Sequence, residues 1–254
     1  MNRMKTNFRK NWKRLLGWLL AALLLLMMFV ESRPIDPRDH NQVLGGIAAI
    51  GRYDAELGET VLKQHFHLLN NFDALTAVSS RLQGQLRELK QGEALLALRD
   101  EQPVWEAFER MEARMHTELD MLERFKSNGA VLRNSLLYLP QAMDDALRTS
   151  PPAVLERVGE PLRRLHRDIA GMTGDASSLD PARLRDDIAV FRLALDGLPE
   201  RELAGLTPVL RHLQQVSALG AEATQLMREL TLTGQQAGMA DGFAAAYDAY
   251  YRRE

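Results

Sequence analysis

Cysteine is absent from the chain. Its absence excludes disulfides, thiolate metal sites and cysteine nucleophiles, and leaves the compartment open, since many exported proteins also lack it. Aromatic residues are scarce, at 6%. The 17 glycines and 10 prolines in 254 residues are too few for a fibrous or disordered polypeptide. No segment alternates polar with β-branched residues, so no strand is expected, and no fixed-period repeat is found. Also missing are GxSxG, a Walker A loop, HExxH and a GxGxxG following a strand. The Glu-x-x-His pairs that di-metal carboxylate bundles turn inward do not occur either. His65 and His67 are two residues apart, on different faces of a helix, and no acidic cluster joins them. The sequence therefore carries no signal for an enzyme, a metal or a cofactor.

Leu, Ala, Arg and Glu are abundant, within 46% hydrophobic and 26% charged residues. Unbranched side chains lose little rotamer freedom in a helix, so this mixture favours an all-α fold with one or two modest cores. The net charge of −2 hides an asymmetry. Residues 1–14 hold six basic residues and no acid, which leaves 26 basic against 34 acidic residues in the remainder. An acidic body with no basic face is a poor nucleic-acid binder.

The basic flank at 1–14 precedes a charge-free run, Leu15 to Val30, which as a helix is roughly 24 Å long. Trp12 and Trp18 suit a lipid interface, and Lys13 and Arg14 can snorkel. The expectation is a cytoplasmic flank at 1–14, a transmembrane anchor at 15–31 and a periplasmic helical body at 32–254, all on the inner membrane. The run is slightly long for the core of a cleaved signal peptide and Val30-Glu31-Ser32 is a mediocre cleavage site, so the uncleaved anchor is favoured.

From about residue 40 the apolar period is helical: Val43, Ile47, Ile50, Leu57, Val61, Leu68 and Phe72 follow steps of three and four. Asp54 and His65 fill two gaps in this stripe. A turn is expected at 70–73, with Asp73 as N-cap of a helix to about Gln91. A third helix should run from 101 to 148, on the order of 70 Å, with Pro103 in its first turn and a kink at Pro140. After a turn at Thr149–Pro152, with Ser150 as N-cap, a helix to about Met172 follows. The loop GMTGDASSLDPAR comes next, and then helices at 181–197, 200–219, 221–231 and 236–252. Long helices with short connections imply bundles crossing at shallow angles.

Four stretches carry a resemblance: NNFDAL (Asn70–Leu75), ERFKSNGAVLRNSLLYLP (Glu123–Pro140), LRHLQQVSALGAEATQLMREL (Leu210–Leu230) and AAAYDAYYRR (Ala244–Arg253). They resemble the DAHL family, double all-helical ligand-binding domains that serve as extracytoplasmic sensor regions of certain bacterial histidine kinases. Relatives of the crown-gall kinase that detects plant phenolics and sugars are among them. The resemblance covers roughly residues 38–252, and the second stretch is its most specific part. It implies two stacked helical bundles projecting from the membrane, a parallel homodimer, and a second membrane helix leading to a cytoplasmic kinase. The sequence departs from the family pattern at Gly129, where Ala is usual, and at Phe72, where Tyr is usual. It also reaches Glu254 without a second span or a kinase motif, so the resemblance implies either the input part of a sensor or a stand-alone anchored form.

Within Glu123–Pro140, Asn128 and Ser135 lie one above the other beside the Leu132, Leu136 and Leu139 face of the helical wheel. Lys126, Arg133 and Asp144 share the opposite flank. Buried polar groups need partners, so Asn128 and Ser135 point either to neighbouring helices or to a ligand. Lys126 and Arg133 suit an anionic ligand or acids of the next helix, and Gly129 permits close approach. With Asn71, Asp73, Asn134, Asp54 and His65 they form the candidate ligand-binding set. The bland alternative for each is an interhelical hydrogen bond or a surface ion pair. The expected function is ligand sensing, of a small molecule or a periplasmic binding protein. The alternative is a membrane-anchored helical scaffold or adaptor for a periplasmic protein.

Overall fold

The computed structural model describes residues 18–27, 37–66, 71–174, 181–236 and 238–253. Beyond a helical segment at 18–27, nine helices follow one another among the described residues: α1 (Pro37–His65), α2 (Asp73–Gln91), α3 (Glu93–Leu96), α4 (Gln102–Thr149), α5 (Pro152–Gly174), α6 (Pro181–Leu195), α7 (Glu200–Leu203), α8 (Leu206–Gln236) and α9 (Asp241–Tyr251). No strand occurs among the described residues. The all-α expectation holds.

The side chains sort into two hydrophobic cores. The proximal core gathers Val43 to Val61 of α1, Leu75 to Leu89 of α2, Val104 to Phe125 of α4, Ala223 to Leu230 of α8, and Phe243 and Tyr247 of α9. The distal core gathers Leu136 to Ala146 of α4, Val154 to Ile169 of α5, Leu184 to Leu195 of α6 and Leu206 to Val216 of α8. Thus α4 and α8 run through both cores and the other long helices belong to one each. The first half of α4 meets the second half of α8 and vice versa, so the two are antiparallel. An α4 of 48 residues is on the order of 70 Å long, and the bundles stack along it. Between the cores is a waist, residues 126–134 of α4 and 217–222 of α8, where no residue is fully buried.

Several local expectations need correction. α8 is one helix where a break at Gly220 was expected. Glycine costs a helix about 1 kcal/mol relative to Ala, but Val216 on one side and Ala223 on the other are buried in different cores and pin the helix across it. The last helix starts at Asp241, not 236. α4, by contrast, is the single long helix expected, with Pro140 inside it and Leu139 and Met143 fully buried beside that proline. Asp73 is the first residue of α2 rather than its cap, and its own N–H donates to Asn71 Oδ1 at 3.3 Å.

Of the apolar run at 15–31, only residues 18–27 are described. They are helical, and their large side chains are exposed, Trp18 at 77% and Leu25 at 67%. The rest of that run and the basic flank lie outside the described residues. No helix among the described residues is long and apolar enough to cross a membrane.

Candidate functional site

Three sequence-distant stretches meet at and beside the waist. Phe72, in the turn before α2, sits on Gly129 of α4: a Cβ placed at Gly129 is 2.8 Å from Phe72 Cζ. Glycine is required there by close approach, since the helical backbone itself accepts any residue. The two departures from the family pattern noted above therefore touch each other. Nearly two turns further along α4, Ser135 is 2% exposed, and its Oγ lies 3.1 Å from His212 Nδ1 of α8. The Tyr138 ring lies 4.6 Å from the same imidazole. Arg124 donates to Glu222 Oε1 at 2.5 Å on the proximal side. Asn128 has a buried Nδ2 with no hydrogen-bond partner, a deficit of about 1–3 kcal/mol that a water or a ligand acceptor relieves.

Other members of the candidate set do not converge there. Asn71 Nδ2 donates to Asp73 Oδ2 at 2.7 Å, a local and exposed pair. Lys126 is tied to Glu123 at 2.9 Å on its own helix. Arg133 and Asn134 are exposed; Asp144, outside the set but on the flank of Lys126 and Arg133, faces His166 of α5 at 3.4 Å. His65, half-buried near the end of α1, sets its ring edge-on to Phe66 and does not join Asp54. Gly129→Ala should destabilise the fold by about 1–2 kcal/mol, because the Phe72 ring must move. In a Phe72→Ala background the same change should stabilise by up to ~1 kcal/mol, through helix propensity. Urea unfolding of the four variants checks this reversal of sign.

A second polar cluster is buried inside the proximal core. Asp54 of α1 is 8% exposed and Glu118 of α4 is 3% exposed. Their carboxyl groups are hydrogen-bonded to each other. Arg114, one turn before Glu118, approaches it at 3.4 Å, and Asp54 Oδ2 accepts the Met239 N–H at 3.4 Å. Burial pushes the Asp54 carboxyl up, against the pull of the Met239 N–H and Arg114. Glu118 is pushed up to about 7, first by burial and then by the Asp54 charge. Sequence reading found Asp54 but missed Glu118, although its spacing of three from Met115 and four from Leu122 places it on the apolar stripe.

At the far end of the proximal bundle the first and last helices touch. His40 of α1 stacks on Tyr251 of α9, ring centroids 3.7 Å apart, and its Nδ1 is 3.1 Å from Tyr247 Oη. Phe243 packs edge-on against Phe108 of α4 at 5.6 Å. The Tyr247 phenol is pushed up to about 12, mainly by burial, so it stays neutral and available for this bond. Among the described residues, no group of three or more His, Asp or Glu is arranged to hold a metal ion. The sequence model described as the DAHL domain matches residues 35–254. Neither a curated protein nor a solved structure gives a significant match.

Proposed function

We propose, from the premise that the chain belongs to the DAHL domain family, that this helical sensor domain is the extracytoplasmic input module of a two-component histidine kinase. The observation that carries the reading is the meeting of α1 and α9 at one end of the rod, through His40, Tyr247 and Tyr251. A module read out through membrane helices needs its entry and exit side by side. The exposed apolar surface of residues 18–27 lies shortly before that entry and calls for an apolar surrounding, in keeping with an anchor in the inner membrane and a cytoplasmic N-terminus.

In this reading the distal bundle and the waist take the signal, a small molecule or a loaded periplasmic binding protein. A ligand moves such an equilibrium only by binding one packing more tightly than the other. Because α4 and α8 thread both cores, a repacking at the waist reaches the proximal bundle and displaces α9 against α1. The module acts as a parallel homodimer and performs no chemistry of its own. A second reading, an anchored scaffold for a periplasmic protein, draws on the exposed Leu137 and Leu193, each 67% exposed on the distal bundle.

Thermal-shift screening of the full chain against metabolites and binding proteins tests the reading. A ligand at one hundred times its Kd adds about 2.7 kcal/mol. A shift with a small molecule, or with a binding protein only when it is loaded, supports the sensor, and a shift with proteins regardless of any load supports the scaffold. No shift with either argues against both.

A further inference from the structure

We propose that Asp54 and Glu118 form a proton-operated latch: one shared proton holds α1, α4 and the turn into α9 together, and its loss releases α9. This inference goes beyond the sensory reading and stands whether or not a ligand exists.

The geometry gives each carboxyl a different attachment. Asp54 is on α1 and accepts the backbone N–H of Met239, in the turn that launches α9. Glu118 is on α4, and Arg114 of the same helix approaches it. The turn has a second carboxylate anchor, Asp241, whose Oδ2 accepts the Gly238 N–H at 2.6 Å. The charged groups acting on the pair are therefore Arg114 from α4, which favours ionisation, and Asp241 from α9, which opposes it at Asp54. Two buried carboxylates in contact cannot both be ionised without strong repulsion, so one proton stays between them. Asp54 accepts the Met239 N–H, which favours its ionised form, and burial holds Glu118 up to about 7 despite Arg114, so the shared proton is assigned to Glu118.

The consequence is a helix attachment that depends on pH. Glu118 keeps its proton to about pH 7 when buried, against 4.5 when solvated. The closed state therefore binds more protons than the opened one between these values, and closure weakens as pH rises through about 7. Once Glu118 ionises, the single Arg114 cannot neutralise both carboxylates. Glu118 then repels Asp54, and the amide of Met239 loses its acceptor as the carboxylates separate.

Hydrogen exchange of the full chain, corrected for intrinsic rates, tests the latch. Protection of amides 239–251 should fall roughly tenfold between pH 6 and pH 8, the change expected for one group with these two proton affinities. The distal bundle should not follow. Glu118→Gln, which keeps a donor to Asp54 at every pH, should abolish the dependence, whereas Asp241→Asn should retain it. Infrared titration of the unaltered chain reads the buried protonated carboxyl directly and should show it disappearing near pH 7. Flat protection of α9 across this range, persistence of the dependence in Glu118→Gln, or no buried carboxyl titrating near neutrality overturns the proposal.

Discussion

Replacing Phe191 by alanine is expected to melt the distal bundle and leave the proximal bundle standing. Phe191 is fully buried in the distal core, among Val158, Leu162, Leu213 and Val216. Truncating such a ring removes its burial and leaves a cavity that neighbours on four helices close only in part, a loss of about 3–5 kcal/mol. α5 and α6 have no residue in the other core, so their amides should lose protection together. The proximal core does not share this side chain, and α1, α2 and α9 should keep theirs. The halves of α4 and α8 should part company near the waist, where no residue is fully buried. Hydrogen exchange read by mass spectrometry resolves these segments. Uniform loss across the whole chain would mean a single cooperative core rather than two.

Tyr247→Ala should have an effect of similar size in a different place. Tyr247 is 2% exposed, bonds to His40 and packs beside Phe243. Its loss removes about 3–5 kcal/mol from an eleven-residue helix whose other buried side chain is Phe243. Isolated helices of that length are marginal in water, so α9 should detach from α1 before the rest of the body unfolds. Limited proteolysis should then cut within 241–251 while 37–236 survives. Tyr247→Phe keeps the ring and loses one hydrogen bond, and should cost only about 1 kcal/mol. If the alanine variant leaves α9 as resistant as before, the aromatic contact is not what joins the ends, and the output route proposed above fails.

Most of the helices were legible in the sequence because the apolar period of three and four repeats without interruption along α4 and α5. Where the reading failed, a tertiary contact outweighed a local rule. Gly220 looked like a helix stop, and cores on both sides of it keep α8 intact. Glu118 carries no mark in the sequence beyond its place on the stripe, because nothing local shows its partner. Asp54, 64 residues earlier in the chain, is that partner. The wheel of a single helix cannot show what arrives from elsewhere. Ser135 acquired His212 and Gly129 acquired Phe72, while Arg133 and Asn134 stay exposed. The apposition of His40 and Tyr251, over two hundred residues apart, had no local signature at all.

The central claim is that the body stands outside the cytoplasm with both of its ends at the membrane. The absence of cysteine makes a direct measurement simple. Single cysteines at the exposed positions Asn41, Ala249 and Leu137, and at Thr149 by the distal turn, are labelled in intact cells with a membrane-impermeant fluorescent maleimide. The proteins are then placed in vesicles carrying a headgroup quencher. All four sites should label before lysis, and the quencher should reach the labels at Asn41 and Ala249 but not the one at Thr149, which α4 holds on the order of 70 Å away. Labelling that requires lysis, or equal quenching at Thr149 and Ala249, contradicts the account.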